Sequence, residues 1–149
     1  MTVDGPATTG APPRLGLLVV THGGLAFELV RALERIVGPA IPRTRAMSIG
    51  WDDDLVQARK TLETAIAEVD DGHGVLILTD MFGGTATNLT LSFLRPGIEI
   101  VTGVNLPMVI KVANLASSTT LKEAASVVKE QGQRAIALAT EYLDPVRGT

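Results

Sequence analysis

Two polar residues, His22 and Asp80, each follow a strongly apolar run and each precede a pair of glycines. His22 ends the run LGLLVVTH and is followed by Gly23-Gly24, whereas Asp80 ends GVLILTD and stands shortly before Gly83-Gly84. Polar residues at the carboxyl ends of parallel strands lie along one edge of a sheet, where ligands bind. A histidine and a carboxylate placed in this way could therefore share one site. Taken alone, His22 fits a capping or hydrogen-bonding loop residue at least as well.

The chemistry of such a pair depends on whether the two strands are neighbours in the sheet. If they are, the carboxylate of Asp80 can accept a hydrogen bond from Nδ1–H of His22. This contact would fix the tautomer of the imidazole and support positive charge on the ring. Nε2 of His22 would then be a competent nucleophile. If the strands are neighbours, the pattern therefore predicts a nucleophilic His22 with Asp80 as its orienting partner. A crevice that binds a small anion or a nucleotide without covalent chemistry is disfavoured, because the sequence has neither a Walker lysine nor a G-x-G-x-x-G turn.

The glycines and the helix that follows Gly83-Gly84 predict an anion site beside this pair. Glycine lets backbone amides approach a ligand closely, and a helix N-terminus presents unpaired N–H groups. The helical pattern begins near Thr85, whose hydroxyl is a further donor. A phosphoryl group could be held there without lysine or arginine, although a glycine pair alone indicates no more than a tight turn.

Alternating strand and helix patterns predict an α/β fold with a mainly parallel sheet between two layers of helices. The runs Leu15–Val20 and Gly74–Thr79 are nearly continuous in apolar residues, as in strands buried on both faces. One domain is expected over residues 14–149. Residues 1–13 are rich in glycine and proline and are predicted to be a disordered tail. Strand patterns occur at Leu15–Val20, Thr44–Trp51, Gly74–Thr79 and Ile98–Val104, and helical patterns at Leu25–Val37, Asp52–Val69, Ala86–Leu94, Pro107–Leu115 and Thr120–Glu130.

The last part of the chain is ambiguous. The segment Gln131-Gly132-Gln133 is expected to interrupt the helix that begins at the capping-box sequence TLKE. The following segment, Arg134–Leu143, fits a final helical turn or a strand about equally well on its pattern alone.

Composition excludes several classes of function. The 149 residues include no cysteine and only two histidines, which excludes disulfides and thiolate catalysis and argues against a zinc site. A net charge of −3 without a basic cluster argues against nucleic acid or an anionic membrane as a partner. No apolar run approaches the roughly 18 residues of a membrane span, and no secretory signal pattern opens the chain. A cytoplasmic protein that needs no metal or cofactor is expected.

Other candidate residues receive structural interpretations. His73 precedes a strand and so lies at the wrong edge of the sheet, as a solvated loop residue. The run Asp52-Asp53-Asp54 is expected to cap a helix, with Asp52 as its first residue, rather than to bind a metal. Trp51 is interpreted as a packing residue. Met81 and Phe82 are the best candidates for side chains exposed to a docking partner.

The segments VVTHGG, LTDMFGGTATN and VTGVNLPMV, in this order and spacing, resemble the EIIA domain of the mannose family of the bacterial phosphoenolpyruvate:sugar phosphotransferase system. The resemblance extends from about Leu15 to the C-terminus. The phosphotransfer subunit of dihydroxyacetone kinase resembles the same pattern.

The resemblance implies a role for each candidate residue. His22 would carry a phosphoryl group on Nε2, and Asp80 would hold the other ring nitrogen. The hydroxyl of Thr85 would lie near the phosphoryl group, with glycines 23, 83 and 84 around it. The family fold implies strand order 2-1-3-4, plus a fifth antiparallel strand exchanged between the subunits of a homodimer, which favours a strand over Arg134–Leu143.

The resemblance also implies partners. The phosphoryl donor would be the phosphocarrier HPr, and the acceptor would be an EIIB component on a separate protein, because no EIIB-like segment follows before Thr149. The family often has proline after the hydroxyl residue of the glycine loop, whereas this chain has Ala86, so the loop is expected to be less rigid. The alternatives are a regulatory module whose phosphorylation state is read by a partner without sugar transport, and the dihydroxyacetone-kinase subunit.

Overall fold

A computed structural model describes residues 11–83 and 85–143 of the chain. Residues 1–10 of the predicted tail lie outside this range. The strands are β1 (Gly16–His22), β2 (Thr44–Ile49), β3 (Val75–Thr79) and β4 (Ile98–Thr102), and the helices are α1 (Leu25–Val37), α2 (Leu55–Val69), α3 (Thr85–Leu91), α4 (Leu106–Ala113), α5 (Leu121–Arg134) and α6 (Ala139–Leu143).

The four strands form one parallel sheet in the order β2-β1-β3-β4, as expected. Strand β1 is therefore central, and both of its neighbours are paired along its length. Val20 lies opposite Thr79 on β3, and His22 lies opposite Ile49 on β2. This register brings the carboxyl ends of three strands to the same edge of the sheet.

Helices cover both faces of the sheet and create two separate cores. The side chains of β1 alternate between them because successive residues of a strand point to opposite faces. Leu18 and Val20 pack in the core that contains Leu62 of α2, whereas Leu17 and Val19 pack in the core that contains Val109 of α4. The predicted three-layer arrangement is confirmed. None of the helices in the described ranges is long and apolar enough to cross a membrane.

The start of α2 differs from the prediction that Asp52 begins this helix. The helix begins at Leu55, and Asp54 is its N-cap, with a side-chain oxygen that accepts from the amide of Val56 at 2.9 Å. The carboxylate of Asp53 accepts instead from the amide of Gly50 at 2.6 Å. Asp54 therefore caps the helix, whereas Asp53 closes the turn that precedes it.

Helix α5 begins with the predicted capping box between Thr120 and Glu123 but is not interrupted at residues 131–133. The helix continues because Gly132 lies against Met108, where a Cβ atom would come within 2.5 Å of the Met108 sulfur. The carbonyl of Gly132 also accepts a hydrogen bond from the side-chain amide of Asn105 at 3.1 Å. The glycine therefore serves close helix packing rather than chain termination.

The fifth strand expected over Arg134–Leu143 is not observed. Residues 139–143 form the short helix α6, and none of the residues in this helix is buried. A strand requires a backbone partner, and this segment pairs with no strand of the described chain. Without that partner the local preference of Ala, Glu and Leu for helix decides the conformation.

Candidate functional site

His22 and Asp80 meet at the carboxyl edge of the sheet. Nδ1 of His22 lies 2.9 Å from Oδ2 of Asp80, although the two residues are 58 positions apart in the chain. The backbone amide of His22 donates to the same oxygen at 3.0 Å. The contact arises because β1 and β3 are adjacent and parallel, so that the residues at and just after their carboxyl ends face each other.

The environment of Asp80 keeps its carboxyl group ionised. Partial burial, the largest single influence, acts to raise the pKa of Asp80. The hydrogen bonds from the amide and ring of His22, the charge of that ring and the hydrogen bond from the amide of Met81 act together in the opposite direction. Their sum lowers the pKa of Asp80 below its ordinary value. Asp80 is therefore an anion at neutral pH and can only accept hydrogen bonds.

This acceptor assigns the tautomer of His22. Because ionised Asp80 has no proton to donate, the 2.9 Å contact requires the proton on Nδ1. In the neutral form of the ring the lone pair is then on Nε2, and among the described residues no hydrogen bond engages this atom. The side chains of His22 and Asp80 are only 10% and 16% exposed. The arrangement presents one nucleophilic nitrogen on a ring that is otherwise covered.

Trp51 covers one face of the imidazole. Its ring and that of His22 are stacked with centroids 5.0 Å apart and planes inclined by 24°. The interpretation of Trp51 as a packing residue is wrong, because the residue is 80% exposed. Trp51 follows β2 as His22 ends β1, and this position just after a strand is the signal in the sequence that could have identified it.

The glycine turns adopt conformations that require glycine. Gly23 has φ of 57° and Gly83 has φ of 83°, in the left-handed region that residues with a Cβ atom rarely occupy. Both turns border the His22–Asp80 pair, as the sequence predicts. Gly84 lies outside the described residues. Thr85 begins α3, and its side chain also lies outside the description.

Buried threonines anchor the two loops that carry the pair. Oγ1 of Thr21 accepts a hydrogen bond from the amide of Ala26 at 2.8 Å, which fixes the start of α1 against β1. Oγ1 of Thr87 donates to the carbonyl of Met81 and lies 3.2 Å from the hydroxyl of Thr79. These contacts hold the chain on either side of Gly23 and Gly83. The sequence analysis did not identify them, because a threonine has no distinctive spacing.

Three further candidate residues from the sequence are His73, Met81 and Phe82. His73 is exposed in the loop before β3, at the opposite edge of the sheet from His22. Met81 and Phe82 follow β3 and are 50% and 75% exposed beside the site. Their exposure agrees with the expectation from the sequence.

The chain is similar to known components of the phosphotransferase system. The profile of the EIIA-man family, described as the PTS system fructose IIA component, matches residues 16–129. The fructose-specific EIIA component of the phosphotransferase system of Bacillus subtilis is 32% identical over 135 residues, which are 89% of this chain and 92% of that protein. The mannose-specific EIIAB component of Escherichia coli K12 is 27% identical over 104 residues, which are 65% of this chain and 30% of that protein.

A solved structure supports the fold independently. The PTS IIA protein associated with the fucose utilization operon of Streptococcus pneumoniae superimposes with a TM-score of 0.77 at 24% identity, covering 90% of this chain and 99% of that one. The TM-score shows that the two chains share the fold, and the region that the family profile matches contains both His22 and Asp80. The chain belongs to the mannose family of EIIA components of the phosphotransferase system.

Proposed function

We propose that the chain carries a phosphoryl group on Nε2 of His22. The observation that supports this assignment is the 2.9 Å contact between Nδ1 of His22 and Oδ2 of Asp80. It commits Nδ1 to a hydrogen bond and leaves Nε2 as the nucleophile. His73, the only other histidine in the sequence, is exposed, and its Nδ1 lies 3.1 Å from the carbonyl oxygen of Asp71.

The transfer step is a displacement at phosphorus between two imidazoles. The lone pair of Nε2 attacks the phosphorus of a donor phosphohistidine, the new N–P bond forms, and the N–P bond of the donor breaks. The donor imidazole leaves with the electron pair of that bond, and the proton on Nδ1 of His22 stays in place. The ring of His22 gains the positive charge that the donor ring loses, and ionised Asp80 stabilises it. Phosphoryl transfer of this kind depends mainly on positioning and electrostatics.

The glycine turns are proposed to hold the phosphoryl oxygens. Backbone amides around Gly23 and Gly83 can approach an anion closely because neither residue has a side chain and an added Cβ would meet no atom within 4 Å. Gly84 and the hydroxyl of Thr85 complete this group of donors in our proposal. Ala86, where the family often has proline, leaves the backbone after Thr85 less restricted.

We propose HPr as the donor and an EIIB component as the acceptor. Trp51 stacks on the imidazole, and Met81 and Phe82 directly follow Asp80 in the chain. All three side chains are exposed, which suits successive docking of two proteins at one site. The E. coli relative is named an EIIAB component, and this name indicates an A part and a B part in one protein. Carriers and partners of this kind meet in the cytoplasm, where we expect the chain to act.

The test is phosphorylation of the whole chain by phosphoenolpyruvate, Enzyme I and HPr, followed by intact mass and site mapping at neutral to alkaline pH. The wild type should gain one acid-labile phosphoryl group on His22. His22→Ala should gain none, and His73→Ala, the matched control, should gain it at the wild-type rate. Equal phosphorylation of the His22 variant would refute the assigned site.

A further inference from the structure

The turn between β2 and α2 is built around the carboxylate of Asp53. The amide of Gly50 donates to Oδ2 of Asp53 at 2.6 Å, and a Cβ atom on Gly50 would lie 2.5 Å from Oδ1 of the same side chain. Glycine at position 50 is therefore needed for the carboxylate to close the turn. Trp51 lies within this closed turn, so its backbone is held in place.

The register of the sheet brings this turn to His22. Ile49, the last residue of β2, is the register partner of His22, and Trp51 stands two positions beyond it. The indole consequently reaches back over the imidazole, at a centroid distance of 5.0 Å. Two features therefore place the two rings against each other: the pairing of β1 with β2, and the turn that the carboxylate of Asp53 closes. Neither feature involves the contact between the rings.

Burial does not explain why the indole lies there. Trp51 is 80% exposed, whereas a tryptophan that packs in a core buries most of its area. The indole therefore adds little to the stability of the core. The part that is covered faces the ring of His22. An aromatic face against an imidazole restricts rotation of that ring and attracts it when it becomes positively charged.

We propose that Trp51 is a positioning residue for the phosphoryl transfer, an inference that rests on the proposed function. Oδ2 of Asp80 holds His22 within the plane of the imidazole through Nδ1, and the indole holds the ring from above that plane. Together the two contacts fix the direction in which Nε2 points. The indole also stabilises the positive charge that the ring acquires when Nε2 bonds to phosphorus.

The first arm of the test examines the stack without any phosphorylation. In NMR spectra of the full chain, the ring protons of His22 should show nuclear Overhauser effects to the indole of Trp51 and an upfield ring-current shift. Trp51→Leu should abolish both, while Trp51→Phe should retain a smaller shift. A wild-type spectrum without either signal overturns the inference.

The second arm measures the rate of phosphorylation from phospho-HPr in single turnovers. At saturating donor, Trp51→Leu should be slower than wild type by about five- to tenfold, whereas Trp51→Phe should be close to wild type. Phe27→Leu is the matched control, because it removes a half-exposed aromatic ring from α1 that has no role in the proposed site. That change should leave both the saturated rate and the half-saturating donor concentration within about twofold of wild type.

The outcomes separate this inference from the function on which it rests. A phosphorylated wild type with an unchanged saturated rate in Trp51→Leu overturns the positioning role alone. A change confined to the half-saturating concentration also overturns it, because Trp51 would then serve docking only. A wild type that shows the stack but accepts no phosphoryl group on His22 overturns the proposed function and the role of Trp51 with it.

Discussion

At the scale of single residues, Asp80 connects the two loops of the site through its carboxylate. Its Oδ2 accepts from both the amide and the ring of His22, and its Oδ1 accepts from the amide of Met81 at 3.0 Å. The same contacts lower its pKa, so one carboxylate both orients the ring and opposes its developing charge. Substitutions at this residue therefore test orientation and electrostatics together.

We expect Asp80→Asn to be phosphorylated roughly 10²-fold more slowly than wild type, the usual loss when one preorganised electrostatic contact is removed from an active site. An amide can still contact Nδ1, but it carries no charge to offset that of the ring. Single-turnover phosphorylation by phospho-HPr measures the rate, with Asp71→Asn in an exposed loop as the control. Equal rates for wild type and Asp80→Asn would exclude the electrostatic role.

The lowered pKa of Asp80 also predicts how stability depends on pH. The folded-state pKa lies below that of the unfolded chain, which is about 3.9 for aspartate, so ionised Asp80 stabilises the fold above that pH. This contribution falls as the pH drops through the folded-state pKa. Urea unfolding of wild type and Asp80→Asn should therefore give a difference in the free energy of unfolding that is larger at pH 5 than near pH 3. A difference that grows toward pH 3 would contradict the assigned direction.

At the scale of elements, strand pairing assembles the site and helix caps fix the loops around it. We expect Asp54→Ala to lower the free energy of unfolding by about 1 kcal/mol, because the amide of Val56 loses its side-chain acceptor at the start of α2. Asp52→Ala, in the same acidic run, should change it by less than about 0.5 kcal/mol. Chemical denaturation of the two variants measures both values, and equal losses would mean that charge, not capping, is what matters there.

The elements that could be predicted from the sequence are those with a clear pattern of apolar residues. The continuous apolar runs predict β1 and β3, and the polar residues at their ends predict the meeting of His22 with Asp80, once the family order makes the strands neighbours. Trp51 was missed because a single aromatic residue has no period and its exposure depends on a turn closed by Asp53. The strand expected over Arg134–Leu143, which the family resemblance places between two subunits, is not observed in the single chain, because pairing there needs a partner strand.

For the whole molecule, the C-terminal segment leaves apolar surface uncovered. Four large apolar side chains of this segment are well exposed: Ile136, Leu138, Tyr142 and Leu143. Exposed apolar patches of this kind mark protein interaction sites. The homodimer expected from the family resemblance would cover such a patch.

We therefore expect the chain to sediment at twice the mass of one chain at micromolar concentration. Leu138→Asp should shift it to the monomer, because a buried carboxylate at the interface would be unpaired. Leu94→Asp, an exposed apolar position near the end of α3, is the control and should leave the dimer intact. A wild type that sediments as a single chain at every concentration would exclude the dimer.

The stack of Trp51 on His22 has a consequence for how the protein can be observed. The sequence contains one tryptophan, and its ring lies 5.0 Å from the imidazole proposed to carry the phosphoryl group. The intrinsic tryptophan fluorescence of the unlabelled protein therefore comes from a ring directly beside His22. Phosphorylation of His22 should change this fluorescence in the wild type. The fluorescence of His22→Ala should stay constant under the same conditions. The molecule then has its own optical indicator, from which the fraction of phosphorylated carrier could be read continuously while the group passes between proteins.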